Sequence, residues 1–119
     1  MQGYILLWHG SRLKSSNDEN FSIYNQLKNN ITNLEIAFLE LSEPSYEQAV
    51  AKLHQKGVKN IVVLPLFLAA GRHVVEDIPM LSKKLEDELK VDIKLLDHIG
   101  MQKEYISMIE SILKTTPSF

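Results

Sequence analysis

Hydrophobic positions along the chain follow two different periods in alternation. Four short apolar runs, at about residues 3–8, 35–41, 60–65 and 91–96, have the length and composition of buried strands. Between and after them, apolar residues recur at every third or fourth position, which predicts helices at about residues 17–31, 46–56, 77–89 and 102–113. Strands that alternate with helices are typical of a parallel sheet with right-handed crossovers.

The third run, Asn60–Pro65, is apolar on both of its faces and contains neighbouring β-branched residues. This composition is typical of a central parallel strand that helices cover on both sides. We therefore predict a flavodoxin-like, three-layer α/β fold with strand order 2-1-3-4. No linker, repeat or low-complexity segment interrupts the pattern, so residues 1–119 are predicted to form one domain. The last helix is expected to turn Ile106, Ile109 and Leu113 inward.

Local signals suggest where two of the helices begin and where one ends. Two residue pairs have the spacing of a capping box, Ser16 with Glu19 and Ser45 with Gln48. In a capping box, each of the two side chains accepts a hydrogen bond from the backbone N–H of the other residue. Gly57 stands where a helix ends best on a residue in the left-handed conformation.

Composition excludes several classes of function. With 45% hydrophobic and 24% charged residues, the chain has the balance of a soluble globular protein. It has no cysteine, which excludes disulfides, thiolate metal sites and cysteine nucleophiles. A net charge of −2 with no basic stripe argues against a nucleic-acid partner. There is no membrane-spanning apolar run and no signal-peptide pattern, so a cytoplasmic location is expected and no membrane partner.

Unusual polar residues follow the predicted strands. In an open parallel sheet, ligands bind beyond the carboxyl ends of the strands, at the point where the strand order reverses. His9 follows the first strand, Glu40 the second and His73 the third, whereas His98 follows the fourth and His54 lies within a helix. Two imidazoles and a carboxylate can hold a divalent metal ion with coordination positions left open. The residues alone thus indicate a metal site or a proton-transfer site.

Other chemistries fit the sequence less well. No G-x-G-x-x-G or Walker A motif supports nucleotide binding, and no G-x-S-x-G elbow surrounds Ser11. Phosphohistidine phosphatases need an arginine where this chain has Trp8. A receiver domain needs an aspartate after its third strand, where this chain has Pro65.

Three segments together resemble a known family. They are His9–Arg12 (HGSR), Phe38–Ser45 (FLELSEPS) and Leu64–Pro79 (LPLFLAAGRHVVEDIP). In order and spacing they resemble the small, single-domain sirohydrochlorin chelatases of the CbiX type over nearly the whole chain. The resemblance implies that a divalent metal is inserted into sirohydrochlorin, a tetrapyrrole with eight carboxylates. Cobalt is the first candidate for this metal, and nickel and iron are the alternatives. The metal would be a substrate rather than a tightly bound cofactor.

The resemblance also implies roles for individual residues. His9 and His73 would bind the incoming ion and assist deprotonation, and Glu40 would be an accessory ligand or a base. Longer relatives fuse two such domains around one cleft, so a chain of this length is expected to form a homodimer.

The substrate would need both polar and apolar contacts. Candidate donors to its carboxylates are Ser11, Arg12, Arg72 and the backbone N–H groups at the helix starts near Ser45 and Asp77. Candidates for lining the apolar ring faces are Trp8, Leu41, Phe67 and Leu68.

Two rival interpretations use the same residues. The chain would be a carrier of metal or tetrapyrrole without insertion activity, or a flavodoxin-like structural module whose histidines are incidental. Turnover distinguishes the enzyme from the carrier, and histidine substitution distinguishes the structural module from both.

Overall fold

The structure, a computed structural model, describes residues 1–119 and contains four strands and four helices. In chain order they are β1 (Gln2–Trp8), α1 (Lys14–Leu27), β2 (Leu34–Phe38), α2 (Tyr46–Gln55), β3 (Asn60–Pro65), α3 (Ile78–Leu89), β4 (Asp92–Leu95) and α4 (Lys103–Thr115). A π-helical turn at His73–Asp77 precedes α3, and a 3-10 turn at Ile99–Met101 precedes α4. All pairings are parallel and the order is β2-β1-β3-β4, which confirms the predicted fold. None of the four helices combines the length and apolar character that crossing a bilayer requires.

The register of the sheet brings three loops to one edge. Trp8 at the end of β1 lies opposite Phe38 at the end of β2, and Leu7 lies opposite Pro65 at the end of β3. Parallel strands all end at the same edge of the sheet. The segments that carry His9, Glu40 and His73 therefore start from neighbouring positions along that edge.

The larger part of the hydrophobic core lies on one face of the sheet. Side chains of β1 and β3 that point toward α2 and α3 are fully covered, including Leu7 and Val63, both at 0% exposure. On the opposite face, which α1 borders, Val62 and Leu64 stay half-exposed, and α1 itself has no buried residue. Helices lie on both sides of the sheet, as expected, but α1 leaves Val62 and Leu64 of β3 partly open.

Helix α4 extends away from the sheet instead of packing on it. Ile106, Ile109 and Leu113 are 65%, 40% and 71% exposed, so the prediction that they face inward is wrong within this chain. The molecule is 54 Å long with a radius of gyration of 15.3 Å, larger than the ~13.5 Å of a compact chain of this length. The periodicity correctly indicated an amphipathic helix, but it carries no information about which surface the apolar face meets.

One of the two predicted capping boxes forms. The Oγ of Ser45 accepts from the N–H of Gln48 (3.1 Å), and the Gln48 side chain accepts from the N–H of Ser45 (2.7 Å). The predicted box at Ser16 is wrong, because α1 begins earlier, at Lys14, with no side-chain cap. Gly57 adopts a φ of 86°, as predicted for the end of α2.

The turn after β1 instead uses Asn17 of α1. The Asn17 side chain donates to the carbonyl of Ser11 (2.7 Å) and accepts from its N–H (3.1 Å). This pair of bonds holds the turn that follows His9 against the first helix.

Gly10 allows the loops after β1 and β2 to touch through their backbones. Its φ is 98°, and a Cβ at this position would lie 1.7 Å from the carbonyl oxygen of Glu40. Hydrogen bonds from Glu40 N to His9 O (2.9 Å) and from Leu39 N to Trp8 O (2.8 Å) join the same two segments. A side chain at position 10 would therefore strain the backbone and push Glu40 away from His9.

We expect Gly10→Ala to lower the free energy of unfolding by about 2 kcal/mol or more, because it adds both backbone strain and a steric clash. Denaturation in urea would measure the change. Gly71→Ala is the matched control, since a Cβ there meets nothing within 4 Å. Equal stability of the two variants would contradict this account of the turn.

A buried hydrogen bond joins α2 to α3. The Tyr46 hydroxyl lies 2.7 Å from Ser82 Oγ, and the Tyr46 side chain is fully covered. Burial raises the pKa of Tyr46 from 10.0 to about 12, because the phenolate would lose its hydration.

This shift predicts a specific pH dependence. From pH 10 to pH 12 the tyrosine ionises in the unfolded chain before it ionises in the folded one, so the free energy of unfolding should fall by about 1.4 kcal/mol per pH unit. The contribution is complete below pH 10 and lost as the pH rises through 12. Tyr46→Phe should remove this component of the slope in alkaline urea titrations. Equal slopes for the two proteins would refute the assignment.

Candidate metal centre

The turn at Gly10 places His9 and Glu40 side by side. His9 Nε2 lies 2.8 Å from Glu40 Oε1, while His9 Nδ1 lies 2.8 Å from the carbonyl oxygen of Gly10. The His9 ring also meets the edge of the Phe67 ring, with centroids 6.2 Å apart. The imidazole is thus held by its own turn and by the loop after β3.

His73 reaches the same point from the π-helical turn. Its Nε2 lies 3.2 Å from His9 Nε2 and 4.0 Å from Glu40 Oε1. Its Nδ1 lies 2.8 Å from Oδ2 of Asp77, the last residue of the turn. π-helical turns occur often at functional sites, and this one carries both His73 and the carboxylate that orients it.

The hydrogen-bond partners determine which nitrogen each histidine presents. Each Nδ1 faces an oxygen acceptor, a carbonyl for His9 and a carboxylate for His73, so each Nδ1 carries a hydrogen. In the neutral rings each Nε2 then carries a lone pair, and the two atoms lie 2.8 and 4.0 Å from Glu40 Oε1. Three acceptors within 4.8 Å of one another repel unless a cation lies among them. A metal ion or a proton meets that requirement.

The spacing of the two imidazole nitrogens suits a divalent metal. With ligand bonds of about 2.1 Å and tetrahedral or octahedral angles, neighbouring donors lie roughly 3.0–3.4 Å apart. The two Nε2 atoms, at 3.2 Å, fall in this range, whereas Glu40 Oε1 lies 2.8 Å from His9 Nε2 and 4.0 Å from His73 Nε2, on either side of it. The side chains of His9, His73 and Glu40 are 41%, 38% and 48% exposed, so the centre is open to solvent on one side. An ion here would keep coordination positions free.

The polar residues predicted to contact substrate differ in how many hydrogen bonds and ion pairs they already form within the chain. Ser11 is occupied within its own turn, because its Oγ accepts from Leu13 N (3.0 Å) and its backbone pairs with Asn17. Arg72 is exposed and pairs with Glu76 (3.2 Å), whereas Arg12 is exposed and forms no ion pair. Their contact with substrate stays a prediction.

The apolar candidates lie on two sides of the centre. Phe67 is half-buried beside His9, and Leu41 is exposed in the loop next to Glu40, with a φ of 66°. Trp8 and Leu68 instead line an apolar groove on the α1 face of the sheet, where Trp8 packs near Phe38. Leu41 and Phe67 therefore remain the better placed of the four to meet a ring at the metal centre.

Sequence reasoning missed the role of Asp77. The spacing of four residues from His73 was the available signal, since it places both side chains on one face of a helical turn. His98, by contrast, is buried in the turn before α4, and His54 is exposed on α2, so neither joins the cluster.

Comparison with known proteins agrees with this architecture. The family model CbiX matches residues 3–116. A sirohydrochlorin cobaltochelatase of Sulfurisphaera tokodaii is 33% identical over 98% of both chains.

Solved structures show the same fold. A chain named as a cobalamin (vitamin B12) biosynthesis CbiX protein, from Marinobacter aquaeolei VT8, is 35% identical, with a TM-score of 0.88 over 96% of this chain and 95% of the other. The sirohydrochlorin chelatase SirB from Bacillus subtilis subspecies spizizenii, in complex with cobalt, is 28% identical with a TM-score of 0.79. That match covers 95% of this chain but only 50% of SirB. The chain belongs to the CbiX family.

Proposed function

We propose that this protein is a metal chelatase that inserts a divalent ion, cobalt by preference, into sirohydrochlorin. The observation that carries the proposal is the convergence of His9 Nε2, His73 Nε2 and Glu40 Oε1 at the open edge of the sheet. The cobaltochelatase and cobalt-bound relatives support both the reaction and the metal. The ion is a substrate here, and the half-exposed donors suit an ion that must leave.

The geometry supports a simple transfer. Three donors on one side can hold a partly dehydrated ion while its open positions accept the ring nitrogens. Insertion of M²⁺ releases two pyrrole protons, so charge and atoms balance when two bases receive them. As the ion moves to the ring, His9, His73 and Glu40 each regain a lone pair and can accept those protons.

The surroundings of the centre provide sites for the ring. Arg12, which is free of ion pairs, and Arg72 supply positive charge for the substrate's carboxylates, with Ser11 as a further donor. Leu41 and Phe67 offer apolar surface beside the donors, and Trp8 and Leu68 extend that surface below the edge. Local charge matters because the chain as a whole carries −2.

A homodimer completes the proposal. This chain matches only half of the cobalt-bound SirB chain, so a second copy would supply what the other half of SirB supplies. Each copy would bring its own donor set to the shared cleft.

Turnover tests the function directly. With sirohydrochlorin and Co²⁺ in large excess under anaerobic conditions, we expect the wild type to yield many equivalents of metallated ring per chain. The absorption spectrum of the ring measures this yield. His9→Ala/His73→Ala should lower the rate at least 100-fold, and Glu40→Gln should lower it as well, because the donor set is lost. His54→Ala, an exposed histidine on α2, is the matched control and should keep full activity.

The same experiment separates the rival functions. A yield of at most one equivalent per chain, still dependent on His9 and His73, would indicate a carrier and contradict the enzyme. Full activity in the double variant would exclude the three-donor centre. Parallel runs with Ni²⁺ and Fe²⁺ would rank the metals.

Asp77 is expected to act through His73. Its carboxylate fixes the orientation of the ring and keeps the hydrogen on Nδ1, so Asp77→Asn should weaken Co²⁺ binding about 10- to 100-fold. Asp87→Asn on the following helix, α3, is the control, because Asp87 is exposed and pairs only with Lys83. Metal titration by calorimetry with folding monitored by circular dichroism would measure this. Unchanged affinity in Asp77→Asn would show that His73 needs no such support.

A further inference from the structure

Leu41, the residue directly after the donor Glu40, adopts the left-handed backbone conformation, with a φ of 66°. In this region the Cβ atom crowds the following carbonyl oxygen, so a bulky side chain disfavours it. Two other residues besides glycine have a positive φ, Asn33 at 59° and Lys90 at 57°.

Local structure accounts for these other two residues but not for Leu41. Asparagine tolerates the left-handed region, and the Asn33 side chain also donates to the carbonyl of Gln2 (3.4 Å). Lys90 ends α3, and helices commonly end on a left-handed residue. Leu41 lies in a loop, at no helix end, and has a bulky apolar side chain. Its conformation is therefore the one that needs another reason.

Contacts on both sides of Leu41 impose its conformation. Before it, the Glu40 carbonyl oxygen packs so closely on Gly10 that a Cβ at position 10 would lie 1.7 Å away. After it, the chain returns to the end of β2, where Phe38 N donates to the carbonyl of Pro44 (2.8 Å). The backbone must therefore reverse between Glu40 and Pro44, whatever side chain position 41 carries.

The fold alone does not account for a leucine at this position. On the other side of the same contact, Gly10 makes its turn at a φ of 98° with glycine, which has no Cβ to crowd the backbone. Leu41 is 51% exposed, whereas the core leucines Leu7 and Leu53 are 0% exposed. Burial thus offsets little of the strain. Strained residues that persist in a structure are concentrated at functional sites.

The place of Leu41 in the metal centre indicates what its side chain contacts. During transfer the ring nitrogens must come within a ligand bond, about 2.1 Å, of the ion. The centre of the ring then lies over the donors, and its carboxylates lie at the periphery. A residue that directly follows Glu40 therefore meets the apolar face of the ring, which an exposed leucine suits.

We propose that the left-handed conformation of Leu41 holds its side chain against the face of the tetrapyrrole, and that the protein loses stability to keep this contact. The inference rests on the proposed substrate. It makes Leu41 a determinant of ring affinity that takes no part in holding the ion. The fixed backbone also means that no loop has to become ordered when the ring binds.

Thermal melting tests whether Leu41 is strained. Leu41→Asn places a tolerated residue in the left-handed conformation, so it should melt a few degrees above the wild type. Leu41→Ala keeps the crowded Cβ and should show no such gain. Lys90→Asn is the matched control, because it relieves the same conformation at the far end of α3 from Asp77. It should also raise the melting temperature.

Ring affinity tests the contact. In titrations with metal-free sirohydrochlorin, Leu41→Asn and Leu41→Ala should raise the Kd about 10-fold, because the apolar contact is lost. Leu41→Met restores an apolar side chain of similar size and should recover most of the affinity, and Lys90→Asn should bind as the wild type does. Calorimetry should give every variant the Co²⁺ affinity of the wild type. In turnover, KM for the ring should rise more than kcat falls.

The outcomes separate this inference from the proposed function. Unchanged ring affinity in Leu41→Asn, or a melting temperature below that of the wild type, would overturn the inference and leave the chelatase standing. Weaker Co²⁺ binding in Leu41→Asn would show that the residue acts through Glu40 and would also overturn it. Leu41-dependent ring binding without turnover would support the contact and refute the chelatase. A wild type that does not bind sirohydrochlorin would overturn both.

Discussion

The close approach of Gly10 to Glu40 is the contact on which the metal centre depends. The backbone of Gly10 approaches Glu40 so closely that a Cβ at position 10 would lie 1.7 Å from the Glu40 carbonyl oxygen, so only glycine fits there. Hydrogen bonds from Glu40 N to His9 O and from Leu39 N to Trp8 O continue the β1–β2 ladder past the strand ends. The distance between the Glu40 carboxylate and the His9 imidazole is therefore set by the sheet rather than by flexible loops.

The third donor is positioned differently. His73 lies far from the strands in sequence and relies on the π-helical turn, whose last residue, Asp77, holds its Nδ1 at 2.8 Å. A backbone carbonyl thus orients the His9 ring, whereas a carboxylate orients the His73 ring. Both devices direct Nε2 to the same point. The two imidazoles are therefore oriented by chemically different partners.

The sheet itself is unequal on its two faces. α2 and α3 cover Leu7 and Val63 completely, whereas Val62 and Leu64 stay half-open on the side of α1. The uncovered strip runs directly below the edge that carries the metal centre, because Trp8 lines the groove and precedes His9. The less covered face of the sheet therefore adjoins its reactive edge.

The sequence by itself determined the order and type of the elements, since hydrophobic period, strand length and the Ser45–Gln48 box are local properties. It also indicated His9, Glu40 and His73, because parallel strands deliver their ends to one edge whatever the details. Only the tertiary structure decided that Asn17 holds the turn after His9, that Asp77 orients His73, and that Ile106, Ile109 and Leu113 find no cover in their own chain. Periodicity shows that a helix has an apolar face, but which surface meets that face depends on chain direction after Gly100 and on contacts between segments distant in sequence.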